Sequence, residues 1–160
     1  PAFVSDEPSP AGIVKMLSAT PYIYGKRIAV LTPQVEGIAE PDVVPRFVAG
    51  LEETGMTVER ISAYVTRATP SEWQEEACRL IHRKEVECVV FTSGTEISVL
   101  LHALSLYTPD IHAFLADIRI VCYGPYTASH ARKLGLPVDF VSAHFGSFGE
   151  FTRSLTEFYS

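Results

Sequence analysis

The sequence predicts an α/β domain, with a parallel sheet between two layers of helices. From Lys26 onward, short apolar runs alternate with stretches of helical spacing, in the order βαβαβαβαβα. The clearest unit is Val89-Val90-Phe91-Thr92-Ser93-Gly94-Thr95-Glu96-Ile97. An apolar run, Cys88 to Phe91, stops abruptly in small and polar residues, and Ile97, Leu100, Leu101 and Leu104 then repeat at helical spacing. Ser93 with Glu96 three residues on has capping-box spacing, so the stretch reads as strand, tight turn, helix. The chain of 160 residues, 47% apolar and 20% charged, is long enough for one ordinary domain with a core.

Pro1 to Ser5 reads as the end of a strand, so the chain begins as if inside one, cut or processed. Ser9-Pro10 offers an N-cap with Pro at the first helical position, and Ile13, Val14 and Leu17 share a face. Thr20 to Gly25 is a linker. Arg27 to Thr32 is a strand and Pro33 to Glu40 a loop. Pro41 to Thr54 is a helix with Val44, Phe47, Val48 and Leu51 inward, Pro45 near its first turn and Gly55 as its stop. Val58 to Tyr64 alternates as a strand. Thr69-Pro70-Ser71-Glu72 reads as a capping box opening a helix that buries Trp73, Ala77, Leu80 and Ile81.

Strand Glu87 to Phe91 and helix Thr95 to Leu106 come next. Asp117 to Tyr123 is another buried strand. Gly124-Pro125-Tyr126-Thr127 turns into a helix with Ala128, Ala131 and Leu134 on one face, closed by Gly135. Val138 to Ser142 is the last strand, and the Ser147–Glu150 capping box opens a helix carrying Phe148, Phe151, Leu155 and Phe158. Five strands and five helices suffice for a flavodoxin-like domain over residues 25–160. Residues 1–24 then form the tail of a preceding repeat unit and a linker, because Pro1-Ala2-Phe3-Val4-Ser5 echoes Pro137-Val138-Asp139-Phe140-Val141-Ser142.

The net charge of -6, with no basic run, argues against nucleic acid as a partner. No apolar run approaches the roughly 18 residues of a membrane helix, so the composition is that of a soluble protein without membrane insertion. Cys78, Cys88 and Cys122 are odd in number and lack CxxC spacing, and read as free thiols. The five histidines form no HxxxH or HExxH pair, so no metal site is expected.

Several uses of this fold fail on inspection. The strand ends Thr32-Pro33 and Thr92-Ser93 supply no phosphoacceptor Asp. No GxGxxG follows the first strand, and there is no GxSxG elbow. What remains is a set of neutral donors at helix starts: Thr92, Ser93, Gly94 and Thr95; Gly124, Tyr126 and Thr127; Gly146 and Ser147. Parallel strands bring such starts to one rim, where unpaired N–H groups and helix dipoles suit carboxylates or phosphates. Three ordinary caps would give the same pattern.

The motifs go further. The chain resembles the C-terminal half of uroporphyrinogen-III synthase in Gly25-Lys26-Arg27-Ile28-Ala29-Val30-Leu31, Gly55, Ala63-Tyr64-Val65-Thr66 and Val90-Phe91-Thr92-Ser93. Tyr123-Gly124-Pro125-Tyr126-Thr127-Ala128, Lys133-Leu134-Gly135-Leu136-Pro137-Val138 and the helix opened by Ser147 complete the match. The resemblance implies a Rossmann-like three-layer fold. It also implies a cofactor-free activity that cyclises the linear tetrapyrrole hydroxymethylbilane, with loss of water and inversion of ring D, on the route to heme and chlorophyll. It implies a bacterial cytoplasm or plastid stroma as the location. Carried over by position, Tyr64 is the candidate catalytic acid, and Thr92, Ser93, Gly94, Thr95, Gly124, Pro125, Tyr126, Thr127 and Ser147 are the candidate substrate-binding residues. The chain departs from the family at Gly94, where Pro is common, and at Phe145-Gly146-Ser147-Phe148, where a Pro-Thr pair precedes the last helix.

Two expectations stay open at this level. In one architecture all five strands form one sheet, with Ile28–Leu31 pairing beside Val89–Phe91. In the other, residues 1–66 and 69–160 fall into two domains. The chain is either the enzyme or its C-terminal half, or a non-catalytic relative serving as a scaffold or assembly subunit of a larger complex. A small-anion binding module is a third reading, resting on the rim alone.

Overall fold

The computed structural model describes residues 5–7 and 9–160. Among the described residues the strands form two sheets, one of two strands and one of three, and the chain divides into two compact units. The first holds residues 1–36 and 40–66, and the second residues 37–39 and 67–160.

In the first unit, helix α1 spans Pro10–Ser18, strand β1 Arg27–Glu36, helix α2 Val43–Glu53 and strand β2 Thr57–Arg67. Ser9 caps α1 by accepting the Gly12 N–H at 2.9 Å, with Pro10 opening the helix as its fixed φ allows. Gly55 ends α2 at φ +84°, and the Tyr24 ring lies where a Cβ on Gly55 would be 2.2 Å away, so only glycine fits there. The Gly25 N–H donates to Gly55 O and the Thr57 N–H to Lys26 O, so the two strands begin beside one another. The expected single sheet is corrected here: β1 pairs with β2 and not with the strand at 88–91. The physical reason lies in the side-chain pattern. A strand inside a parallel sheet is buried on both faces, whereas β1 alternates exposed and covered positions and β2 is exposed almost throughout. The strand also runs through Pro33 to Glu36, where the sequence predicts a loop, and edge strands tolerate proline. The sequence echo at residues 1–4 lies outside the described residues.

In the second unit, α3 (Ser71–His82), β3 (Cys88–Phe91), α4 (Gly94–Tyr107), α5 (Ile111–Phe114), β4 (Arg119–Cys122), α6 (Pro125–Lys133), β5 (Phe140–Val141) and α7 (Phe148–Tyr159) follow in order. The sheet runs β3-β4-β5, all parallel, with Phe91 in register with Cys122 and Cys122 with Val141. Alternation along β4 sends Ile120 and Cys122 into a core shared with Cys78, Phe91, Ile97, Leu104, Ala128 and Ala131. Val121 and Tyr123 point to the opposite face, where α7 lays Phe148 and Phe151 against the Tyr123 ring at 4.9 and 5.2 Å.

Two further expectations, the Thr69 box and a buried Trp73, are corrected. Helix α3 starts at Ser71, with Pro70 extended at its N-cap and no side-chain cap, so the Thr69 box does not form. The inward face is then set by Cys78 and Ile81, and Trp73, five residues before Cys78 and so on another face, is 66% exposed. Phe148 is 64% exposed although its ring touches Tyr123. The short α5, capped by Asp110 accepting the Ala113 N–H, has too few residues for a periodic signal.

Candidate functional site

The second unit gathers the candidate binding residues at the carboxyl ends of its strands. Because Phe91, Cys122 and Val141 are in register, the segments after β3, β4 and β5 leave the sheet at one level. Helices α4 and α6 start almost at once, at Gly94 and Pro125, and α7 starts after a longer loop at Phe148. Each brings the partial positive charge of a helix N-terminus to that edge. In open α/β sheets this edge is where ligands sit.

Direct bonds tie two of these starts together. Thr127 Oγ1 donates to Thr92 O at 3.2 Å, which fastens the first turn of α6 to the end of β3. Thr127 is buried, so its hydroxyl joins two elements and is not turned to solvent. One turn into α4, Ser98 Oγ lies 3.1 Å from His130 Nε2 on α6. Sequence reasoning misses that pair; the only signal is a polar residue on the inward side of each helix. Gly124, buried at the α6 N-cap, leaves room for the Phe145 ring, which a Cβ there would meet at 3.1 Å. Ser147 Oγ accepts the Glu150 N–H at 3.2 Å and caps α7.

At the α4 start the donors already have an acceptor. Glu96 Oε2 takes the Thr92 N–H at 2.7 Å and the Ser93 N–H at 3.2 Å, and Glu96 Oε1 takes the Thr92 hydroxyl at 2.6 Å. Capping-box spacing is legible in the sequence. That Glu96 also reaches Thr92, before the cap, is not. Gly94 and Thr95 form the first turn of α4, and Pro125 and Tyr126 that of α6.

Tyr64 belongs to the other unit. It lies on β2, 60% exposed. The structure therefore brings Thr92, Ser93 and Thr127 together in the second unit, with Ser147 at the start of that unit's last helix, and places Tyr64 in the first.

Titration adds little at the rim. Burial pushes the Cys122 thiol up to about 11, opposed weakly by Arg132, so this cysteine is protonated and chemically quiet near neutrality. Cys78, Cys88 and Cys122 are free thiols. Among the described residues, no group of three or more His, Cys, Asp or Glu side chains is placed to hold a metal ion, and no helix is long and apolar enough to cross a membrane. A cleft of about 610 Å³ in the second unit is lined by Ser98, Leu101, His102, Leu134 and residues 37–39.

Comparison with known proteins follows the same line. The family described as uroporphyrinogen-III synthase HemD matches residues 4–149. Among solved structures, uroporphyrinogen III synthase of Thermus thermophilus is 15% identical with a TM-score of 0.48, over 95% of this chain and 56% of that one. A mutant of the Thermus thermophilus enzyme is 14% identical with a TM-score of 0.50, over 93% and 54%. The wild-type enzyme of that bacterium, in another crystal form, is 20% identical with a TM-score of 0.46, over 93% and 57%. The likeness to the mutant enzyme is one of fold, and the chain spans little more than half the length of these proteins. No curated protein matches the chain.

Proposed function

The chain belongs to the uroporphyrinogen-III synthase family, and from that premise we propose that it is the C-terminal half of such an enzyme. In this reading it holds hydroxymethylbilane and closes it to uroporphyrinogen III, with ring D inverted and water lost. The observation that carries the proposal is the rim of the second unit: three helix starts follow strand ends in register, two of them fastened by the Thr127–Thr92 bond. The substrate is rich in carboxylates, and such a rim offers N–H groups and hydroxyls to hold them. Fixing a flexible linear chain with its ends together supplies much of the rate.

Tyr64 is the proposed acid. Its phenol proton goes to the departing hydroxyl as the carbon–oxygen bond breaks and water leaves; the freed carbon bonds to the terminal ring, whose bond to its neighbour breaks and re-forms at the ring's other α carbon, and the proton that carbon loses returns to the Tyr64 phenolate. General acid help of this kind is worth about 10²–10⁴-fold. Thr127 acts indirectly, because its hydroxyl already fixes α6 to β3. Ser147 and the first-turn N–H groups of α6 and α7 are the direct holders.

The second reading is a non-catalytic relative within a larger complex. It draws on the prior engagement of Thr92, Ser93 and Thr127 inside the unit.

Ring closure of hydroxymethylbilane, with the inverted and uninverted products separated, tests the proposal. The wild-type chain should raise the inverted isomer above the spontaneous background. Tyr64→Phe should lower its rate about 10²–10⁴-fold, and Thr127→Ala should mainly raise KM. Background product alone from the wild type would favour the non-catalytic reading, and full activity in Tyr64→Phe would remove the acid role.

A further inference from the structure

We propose that the groove between α3 and α4 docks an amphipathic helix of a partner protein, one that carries Lys or Arg beside its apolar stripe. The groove encloses about 430 Å³. Cys78 and Ala103, both buried, form its floor. Leu106 and Tyr107 form one wall, and Leu106 is 78% exposed. Open beside a buried apolar floor, Leu106 extends a continuous apolar strip instead of standing alone on a polar surface. The Tyr107 ring is held by edge contacts with His82 and Phe114, at ring-centre distances of 5.9 and 5.6 Å, so this wall is formed in advance. The groove lies at the end of α4 away from Gly94, and so apart from the rim.

Shape and charge say what fits. On α3 the groove is lined by Ser71, Gln74, Glu75, Cys78 and Arg79, which share one helix face, so it runs along that helix for about 12 Å. Both helices use their backbone N–H and C=O groups internally, so the groove offers an extended peptide no ladder. A helix satisfies its own backbone, and two turns of it match this length. Most polar groups at the rim are already committed. Gln74 Nε2 donates to Thr69 O at 2.6 Å, and Arg79 Nε donates to Glu76 at 2.8 Å. Glu75 is exposed, and among the described residues no Lys, Arg or His forms an ion pair with it. Its charge reaches the floor: the Cys78 thiol is pushed up, by burial first and in the same direction by Glu75. The occupant that complements this groove brings apolar side chains to the floor and a cation to Glu75.

Titration of the whole chain with a synthetic helix of about 14 residues tests this. One probe carries leucine along a single stripe and lysine elsewhere; its counterpart has glutamate in place of lysine. The proposal expects saturable shifts of the Cys78, Ala103 and Leu106 amides with the lysine helix alone. Leu106→Ala, at a side chain too exposed to support the core, should weaken binding about tenfold, as loss of a docking anchor does. Glu75→Lys should weaken it about fivefold. Glu157→Lys, the same charge change on α7 across the sheet, should leave it unchanged. Equal losses from the two charge reversals would reduce the binding to net charge and overturn the proposal. Equal binding of both probes, or shifts confined to other elements, would overturn it as well. Self-association that Leu106→Ala abolishes, with no shift from the lysine helix, would overturn it by giving the groove to a second copy of the chain.

Discussion

The two units are built from similar elements but hold themselves together differently. The second buries a connected set of side chains from α3, β3, α4, β4 and α6, with Ile97, Leu104, Ile120 and Cys122 fully covered. The first has Leu51 fully buried and Met56 nearly so, while β2 exposes Ile61, Tyr64 and Val65, and Leu31 stands out from β1. A two-stranded sheet is marginal on its own. The contrast teaches that the rim sits on the better-supported unit, and that the ladder carrying the proposed acid has little packing to fix it. Helix starts held by a core can orient a ligand; an exposed strand residue can only act on a ligand oriented elsewhere.

Core truncation should separate the units most sharply. Leu104→Ala or Ile120→Ala removes a fully covered side chain, and should cost about 2–5 kcal/mol in urea unfolding. Val65→Ser on the exposed face of β2 should stay within about 0.5 kcal/mol. Hydrogen exchange should agree, with β4 amides opening only at the highest free energies and the middle of β2 far below them. Comparable losses from Val65→Ser and Leu104→Ala would erase the contrast.

Helix caps sharpen the comparison at a smaller scale. Ser9 serves α1 in the first unit and Ser147 serves α7 in the second, each accepting one N–H. Alanine at either should cost about 1 kcal/mol. Equal costs would show that local capping is independent of the core beneath it; a much larger loss at Ser147 would mean that α7 is docked through its first turn.

These examples also show what was legible in the sequence. Caps and strand ends depend on neighbours a few residues apart, so Ser9, Ser93 and Ser147 could be read as written. Parallel βα alternation gave the second unit its order for the same reason. Sheet membership could not be read, because Arg27 to Leu31 has the apolar content of a buried strand and only its partner decides which face is covered. Trp73 failed because the buried face is set by Cys78 and Ile81, and Trp73, five residues before Cys78, lies well round the helix from it. At the rim, the residue types were legible but their commitments were not: Thr127 reads as a donor to a ligand and is bonded to Thr92 O, 35 residues away.

The remaining expected effects are in pH dependence. The Lys84 ammonium holds the Asp117 carboxyl below its ordinary 3.8, by hydrogen bond and then by charge. A lowered acid pKa contributes stability above the unfolded value that disappears as pH falls through the folded one, so Asp117→Asn should slightly flatten the acid limb below about pH 4. Cys122 works in the opposite sense. Its thiol is raised from 9.0 to about 11, so stability falls as pH climbs between those values, and Cys122→Ala should flatten the alkaline limb. Both are read from urea midpoints across pH.

The most direct test of the account is an amide-resolved titration of the wild-type chain with uroporphyrin, a macrocycle rich in carboxylates. The account predicts saturable shifts at Gly124, Tyr126 and Thr127 and at Ser147 to Glu150, the starts of α6 and α7. Saturable binding with no shift at either helix start would contradict it.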